Sequence, residues 1–333
     1  GRRTLSMPKN HEALVKAVSE VQKNTVVVVM CGGCITMPWI DAVRGVLYAY
    51  LGGEAVGTAT LDLLFGDVNP SGKLAETFPR RLEDNPSYLY FFGDEQNKTE
   101  YREGVFVGYR YYDKKNMDVL FPFGYGLSYT TFEYSNLTLD KSKMKDTDTL
   151  TVSVNVRNTG KVKGKEVVQL YVGMPESHTI RPVKELRGFE KVELEPGEEK
   201  TVTFTLAKRA FAYYRTDISD WYVESGDYTI MAAKSSRDIA CTATVNVTST
   251  TQIKRVYTMN STIEEIMESP VGREILGKMM AQNPLAQADA DDIGMGEAMA
   301  RMMAEMPLRA LLSFGGDSVP AGAGEMLLKQ LNA

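Results

Sequence analysis

Thr25-Val26-Val27-Val28-Val29-Met30 is a β-branched run with no polar residue alternating through it. A strand that is apolar at every position suits a parallel sheet covered by helices on both faces, where neither side meets water. Upstream of it, Leu14, Val15, Val18 and Val21 fall at helical spacing, and Asn10 offers an N-cap for a helix over 11–23, with Glu12 near its positive end. Downstream, the apolar run 46–51 precedes Gly52-Gly53 and a helix over 54–65, which Gly66-Asp67-Val68-Asn69-Pro70-Ser71-Gly72 breaks with turn residues. Residues 73–78 read as a further short strand. This is β-α-β material, and there is too little of it. Two or three strands with two helices do not cover both faces of the valine run, and parallel sheets are hardly ever left bare. The missing cover is expected from residues ahead of Gly1, from another chain or from a second copy of this one.

Between Pro79 and Thr130 the chain is rich in aromatics, among them Tyr88, Tyr90, Phe92, Tyr101, Phe106, Tyr109, Tyr111, Tyr112, Phe121, Phe123 and Tyr125. Interspersed charges, including Asp94, Glu95, Glu100, Arg102, Glu103, Arg110 and Asp113, and several glycines stop it being a simple strand. Rings beside acids and arginine stack on sugar faces and bond sugar hydroxyls. They also fill interface cores, and for most of these rings gluing two domains together is the plainer role.

From Phe132 to Thr248 the period changes to two. Leu150, Val152, Val154 and Val156 alternate with Thr151, Ser153 and Asn155, and 167–172, 202–206 and 228–232 behave likewise. Turn signals at Asn158-Thr159-Gly160, Pro196-Gly197 and Ser225-Gly226-Asp227 recur as in an all-β sandwich, of the fibronectin type III kind because no cysteine pair bridges it. The tail, 251–333, reads as helical and holds ten of the 17 methionines. Ser261 with Glu264 has the form of a capping box, and Gly272 and Pro284 are expected to bound short helices. Methionine-rich helices adapt to irregular apolar surfaces, so the tail is either a partner-binding face or a small bundle packed on itself. Asp289-Ala290-Asp291-Asp292 lacks a surrounding EF-hand loop and reads as a solvated linker.

The 333 residues, 43% hydrophobic and 24% charged, have material for about two cores. No apolar run approaches the roughly 20 residues needed to cross a bilayer. A net charge of -5 without a Lys/Arg-rich tract lacks the electrostatic footprint of a nucleic-acid binder. Two histidines, His11 and His178, and three cysteines leave little for a metal site, and no metal or cofactor is expected. Cys31-Gly32-Gly33-Cys34 has redox spacing, but it follows an apolar strand rather than opening a helix, so it reads as a strand-end turn. Four N-x-S/T sequons, at Asn97, Asn136, Asn246 and Asn260, matter only in a secretory path, which three cysteines without a disulfide framework disfavour. The chain has no signal-peptide pattern at its start, and a bacterial cytoplasmic location is expected.

Several segments together resemble the C-terminal half of a glycoside hydrolase family 3 enzyme of the bacterial β-glucosidase type. Gly52-Gly53-Glu54-Ala55-Val56-Gly57 is similar to the family's P-G-Q-E-G-G helix start. Leu64-Phe65-Gly66-Asp67-Val68-Asn69-Pro70-Ser71-Gly72-Lys73-Leu74 with Thr77-Phe78-Pro79 matches its L-F-G-D-x-N-P-S-G-K/R-L…T-F-P. The segments 107–113 and 121–130, and Asn158-Thr159-Gly160…Gly164…Glu166-Val167-Val168-Gln169-Leu170-Tyr171, match further signatures. The resemblance implies an order of parts: a (β/α)8 barrel, an α/β sandwich, then a fibronectin-like domain. This chain then holds the second part of the α/β sandwich with its aromatic linking segment (1–120), a fibronectin type III-like β-sandwich (121–250) and the helical tail (251–333), an α/β part followed by an all-β one.

Members of this family are retaining enzymes, in which one carboxylate attacks the anomeric carbon and another serves as acid and then base. The resemblance puts the nucleophilic aspartate on the barrel. It puts the acid/base glutamate just ahead of an E-G-x-D-R-x-x-L-x-L-P segment. Arg2-Arg3-Thr4-Leu5-Ser6-Met7-Pro8 fits the end of that segment, with Gly1 where the aspartate is expected. Both catalytic groups are therefore expected upstream of Gly1. Within the chain, Glu54 is read as capping or orienting backbone, and Glu103 as a candidate cleft wall. Arg2 is a candidate to hold the acid/base or a sugar hydroxyl, with an ion pair inside the sandwich as its plainer role. The implied function is the C-terminal segment of an exo-acting retaining β-glycosidase, a β-glucosidase for preference, inactive without its barrel-bearing upstream part and acting on an oligosaccharide or aryl β-glucoside. The competing reading is a stand-alone carbohydrate-binding or scaffolding module.

Overall fold

The structure, a computed structural model, describes residues 4–91, 98–253, 255–281, 301–314 and 322–332. The chain divides into two compact units, Gly1–Thr251 and Gln252–Ala333.

The first unit opens with α1 (Lys9–Val21) and β1 (Val26–Val29), followed by β2 (Gly45–Tyr48) and α2 (Val56–Phe65). β1 and β2 pair in parallel, Val26 to Gly45 through Val29 to Tyr48, and form a sheet of two strands. Their shared core gathers Val29, Ile35, Met37, Trp39 and Phe78, with the half-buried Cys31 and Cys34 packed against it. The cover ends there. Val21 is 87% exposed, Val26 51% and Phe65 78%, and no residue of α2 is buried although the helix is largely apolar.

Three local expectations are corrected. Pro8 is the N-cap of α1 and its carbonyl accepts from the N–H groups of His11 and Glu12, so Asn10 lies inside the first turn and does not cap it. α2 starts at Val56 with no side-chain cap, and Glu54 lies exposed ahead of it. Residues 73–78 form no strand. Phe78 makes only an isolated bridge to Phe121, since Pro79 and Pro122 follow the two partners and have no N–H to extend a ladder.

Among its described residues the aromatic segment contributes one α-helix, the short α3 (Tyr109–Lys114). The β-sandwich then runs through β3 (Phe132–Leu139), β4 (Lys143–Lys145), β5 (Leu150–Asn158), β6 (Gly164–Gly173), β7 (Glu185–Leu194) and β8 (Glu199–Leu206). It continues through β9 (Tyr213–Arg215), β10 (Asp220–Tyr222), β11 (Gly226–Ala233) and β12 (Ile239–Thr248). One sheet has the order β4-β12-β11-β6-β7, the other β3-β5-β8, and β9 and β10 form a separate hairpin. β5 buries Leu150, Val152, Val154 and Val156 and turns the residues between them outward, the alternation read from the sequence. β6 departs from it. From Val168 onward both its faces are buried, because Tyr109 and Phe123 of the aromatic segment cover Tyr171 and Met231 on the outer side of the sheet. Tyr109 stacks on Phe123 at 4.8 Å and meets Tyr171 edge-on at 5.9 Å, so these rings do bind the two parts together.

A polar joint completes that contact. The Asn69 side chain donates to the Lys163 carbonyl and accepts from Ser128 Oγ and the Tyr129 N–H. Lys73 Nζ donates to the Gly126 carbonyl at 2.9 Å and lies 3.2 Å from Glu166, which is buried and also accepts from the Tyr134 hydroxyl. Gln169 Nε2 donates to the carbonyls of Gly124 and Lys234. Any Cβ at Gly126 would strike the Gly72 carbonyl, so the two backbones approach as only glycine allows.

The second unit contains α4 (Ile263–Met267), α5 (Pro270–Ala281), α6 (Leu308–Phe314) and α7 (Ala323–Leu331). Its core is Tyr257, Ile263, Ile266, Leu276, Leu308, Leu327 and Leu331, with Met259 and Met306 at its edge. The capping box is formed by Thr262 and Glu265, not by Ser261 and Glu264, because the Ser261 hydroxyl is engaged by the Thr258 N–H. Gly272 lies inside α5 and lets it pass close to the Ile266 carbonyl, rather than ending a helix. Pro284, Met295, Met299 and Asp289-Ala290-Asp291-Asp292 lie outside the described residues.

Two stability measurements follow from this packing. Leu170→Ala, at a fully buried site, is expected to cost about 2–5 kcal/mol in urea unfolding, while Phe65→Ala changes it by less than about 0.5 kcal/mol. Lys73→Met, which leaves Glu166 buried without its counter-ion, is expected to cost about 3–5 kcal/mol, and adding Glu166→Leu recovers part of that loss.

Candidate functional site

Arg2 lies outside the described residues. Glu103 lies within them, half-buried, in the wall of a surface pocket of about 340 Å³. Pro86, Tyr90, Phe106, Tyr111 and Ile180 supply its apolar lining, and Arg102, Glu103, Lys114 and Lys115 its charges.

Each wall has a local cause. In Asn85-Pro86-Ser87 the Asn85 side chain accepts from both the N–H and the hydroxyl of Ser87, an Asx turn that sets the following residues turning. Tyr90 then folds back to donate its hydroxyl to the Pro86 carbonyl at 2.6 Å. The Arg102 guanidinium lies 5.5 Å above the Tyr90 ring and pairs with Glu100. Burial, with the Glu103 carboxylate adding to it, pushes the Tyr90 hydroxyl above its ordinary value. Glu103 itself opens a tight turn, in which the Phe106 N–H reaches the Glu103 carbonyl and Gly104 takes φ 57°.

On the other side, Gly108 at φ 58° starts α3, and helical spacing puts Tyr111, Lys114 and Lys115 on one face. Lys115 Nζ sits 5.7 Å from the Tyr111 ring centroid. The helix is held from beneath, since Asp113 accepts from Lys184 at 2.8 Å and from Arg237 at 2.9 Å, both residues of the sandwich part. The Tyr109 hydroxyl accepts from the Leu186 N–H.

Ile180 comes from the sandwich, on the loop between β6 and β7. That loop is latched by Glu224, which accepts from the Ser177 hydroxyl at 2.6 Å and the His178 N–H at 2.8 Å and meets His178 Nδ1 at 2.6 Å. Arg181 adds a hydrogen bond to the Phe211 carbonyl and lies 5.0 Å from the Tyr213 centroid.

Among the described residues, the pocket lining holds one carboxylate, whereas retaining glycoside cleavage needs two facing each other at roughly 5 to 5.5 Å. Glu54 is not part of the lining. Among the described residues no group of three or more His, Cys, Asp or Glu is placed to hold a metal ion, and no helix is long and apolar enough to cross a membrane. Sequence reasoning singled out Glu103 and named Tyr111 among the aromatics of its segment, but missed Lys114 and Lys115, although their i+3, i+4 spacing from Tyr111 was there to be read. Ile180 has no sequence signal, because only the tertiary fold brings it to the pocket.

The latch titrates. Burial raises the Glu224 carboxyl, but hydrogen bonds from Ser177 and from the N–H and ring of His178 outweigh it and hold the group below its ordinary value. A depressed carboxyl stabilises the fold above its unfolded value and loses that contribution as pH falls through the folded one. Glu224→Gln is therefore expected to flatten the acid limb of a urea-midpoint profile between about pH 5 and pH 3, with the wild-type chain losing more over that window.

Residues 1–129 match the glycosyl hydrolase family 3 C-terminal domain, and residues 166–236 a fibronectin type III-like domain. A thermostable beta-glucosidase B of Acetivibrio thermocellus is 51% identical over 332 residues, 99% of this chain and 44% of that protein. An exo-alpha-(1->6)-L-arabinopyranosidase of Bifidobacterium breve is 40% identical over 318 residues, 95% of this chain and 41% of its own length. Among solved structures, a Bifidobacterium adolescentis GH3 beta-glucosidase superposes with a TM-score of 0.73 at 41% identity, covering 83% of this chain and 40% of that one. The chain thus spans less than half the length of each of these relatives. On the matched segments and the superposed fold, it belongs to glycoside hydrolase family 3, whose C-terminal α/β domain and fibronectin type III-like domain it carries.

Proposed function

We propose that the chain is the C-terminal segment of a retaining exo-β-glycosidase, a β-glucosidase for preference, which hydrolyses terminal β-D-glucosyl residues only together with an upstream part. That part carries the barrel with the nucleophilic aspartate and, a few residues ahead of Gly1, the acid/base glutamate. The observation that carries this reading is the bare apolar face of α1, β1 and α2, with Phe65 78% exposed. An α/β layer of this kind is covered on both sides in a finished fold. The single carboxylate in the pocket lining adds support, since the two-carboxylate chemistry must then be completed elsewhere.

In this reading Glu103 accepts a hydrogen bond from a substrate hydroxyl, and Arg2 holds the neighbouring acid/base carboxylate. Sugar choice belongs to the upstream part. A relative named for an arabinopyranoside and one named for a glucoside both match nearly the whole of this chain.

The test is to mix the purified chain with the separately produced upstream part and follow release of an aryl β-glucoside's leaving group. Hydrolysis by the mixture and by neither part alone is the expected result, with Glu103→Gln reducing kcat/KM about tenfold or more, as loss of one charged hydrogen bond of about 1.5–3 kcal/mol requires. Tight sugar binding by the chain alone, with no hydrolysis on mixing, contradicts the proposal and favours a stand-alone carbohydrate-binding module.

A further inference from the structure

Beyond the one substrate hydroxyl assigned to Glu103, the pocket is poorly matched to a whole pyranose. A sugar ring presents several hydroxyls that need donors and acceptors of matching placement, and sites that hold one converge several polar side chains on it. Here the lining offers one carboxylate and no amide, and the Tyr90 hydroxyl is already committed to the Pro86 carbonyl. What remains is ring surface and positive charge. Tyr90, Phe106 and Tyr111 supply ring surface to the lining, Tyr90 with Arg102 over one face and Tyr111 with Lys115 beside it, so an aromatic ligand can meet ring and cation together. The charges are unequal. Arg102 is paired with Glu100, but Lys114 and Lys115 form no ion pair among the described residues, and both are exposed beside the opening on one face of α3.

We propose that this pocket takes an aromatic carboxylate. Its ring lies between the tyrosine and phenylalanine walls, its carboxylate meets Lys114 and Lys115, and its phenolic oxygen lies on the Glu103 side. In the assembled enzyme such a ligand is the leaving group of a phenolic-acid β-glucoside, an assignment that rests on the glycosidase reading above. The charge pattern selects the anion, because two lysines with no ion pair among the described residues attract a carboxylate and a neutral phenol gains nothing from their charge. The sandwich takes part in this recognition, since Ile180, on the loop latched by Glu224, closes one side of the pocket.

Titration calorimetry on the 333-residue chain at low ionic strength, with 4-hydroxybenzoate, phenol and glucose as probes, tests this without any hydrolysis. The expected result is that 4-hydroxybenzoate binds at least tenfold more tightly than phenol, and that glucose binds more weakly than either. Lys114→Gln with Lys115→Gln should bring 4-hydroxybenzoate down to the level of phenol and leave phenol unchanged. Both lysines are exposed, so this variant is expected to keep its melting temperature. Ile180→Glu, which sets a negative charge at the rim, should weaken 4-hydroxybenzoate and spare phenol. Equal affinity for the two probes, no binding of either, a preference that survives the double lysine change, or tighter binding of glucose overturns the proposal. Failure of the glycosidase reading would appear separately, as absence of hydrolysis when the two parts are mixed.

Discussion

A pair of parallel strands carries apolar side chains on both faces and unpaired N–H and C=O groups along both outer edges, and β1 with β2 meets this demand on one side only. Val29 is buried over Phe78 and Trp39, while Val26, three residues earlier on the same strand, is half exposed. α2 adds ten residues of largely apolar helix and buries none of them. An amphipathic helix left in water turns its polar side outward, and a helix that is apolar all round belongs inside. Every functional statement about the chain depends on this imbalance. It is what supports the proposal that the α/β layer and the catalytic apparatus are completed by an upstream part.

The layer is held from the sandwich side, and there the family signatures show their physical purpose. Asn69 and Lys73 come from one motif, Gly124, Gly126, Ser128 and Tyr129 from a second, and Glu166 and Gln169 from a third. Together they make one joint. Their residue types are those of a buried polar contact between two backbones: amides and a lysine to satisfy carbonyls, glycines to let the chains approach, and one buried carboxylate to balance the lysine. A buried ion pair of this kind fixes geometry more than it adds stability, because desolvating both ions offsets most of their attraction. A second ionic contact fixes α3, and with it one wall of the pocket, against the sandwich, since Asp113 pairs with Lys184 and Arg237.

Legibility in the sequence followed the range of the interaction. The valine run, the alternation of β5 and the turn at Gly66 are set by neighbours within a few residues, and they were readable. Residues 73–78 have strand-like composition but lie against Phe121 and Tyr125, with prolines stopping the ladder, so a tertiary neighbour decided against a strand. The capping box moved by one residue because Ser261 had a competing local bond, which composition does not reveal. β6 looked like an alternating strand and is buried on both faces, since its outer cover arrives from Tyr109 and Phe123 more than forty residues away. For the site, Glu103 stood out as an acid among aromatics. Its neighbour Ile180 is a hydrophobic residue in a loop, indistinguishable in sequence from any other. Arg2 lies outside the described residues, so its role rests on the resemblance.

Amide hydrogen exchange on β1, β2 and α2, in the chain alone and mixed with its upstream part, tests the central claim most directly. The half-covered layer predicts rapid exchange at 26–29, 45–48 and 56–65 in the chain alone, while 150–156 in the sandwich stays protected, and strong protection of all four segments on mixing. If the first three segments are already protected to the level of the sandwich in the chain alone and do not change on mixing, the layer is complete as it stands and the account is wrong.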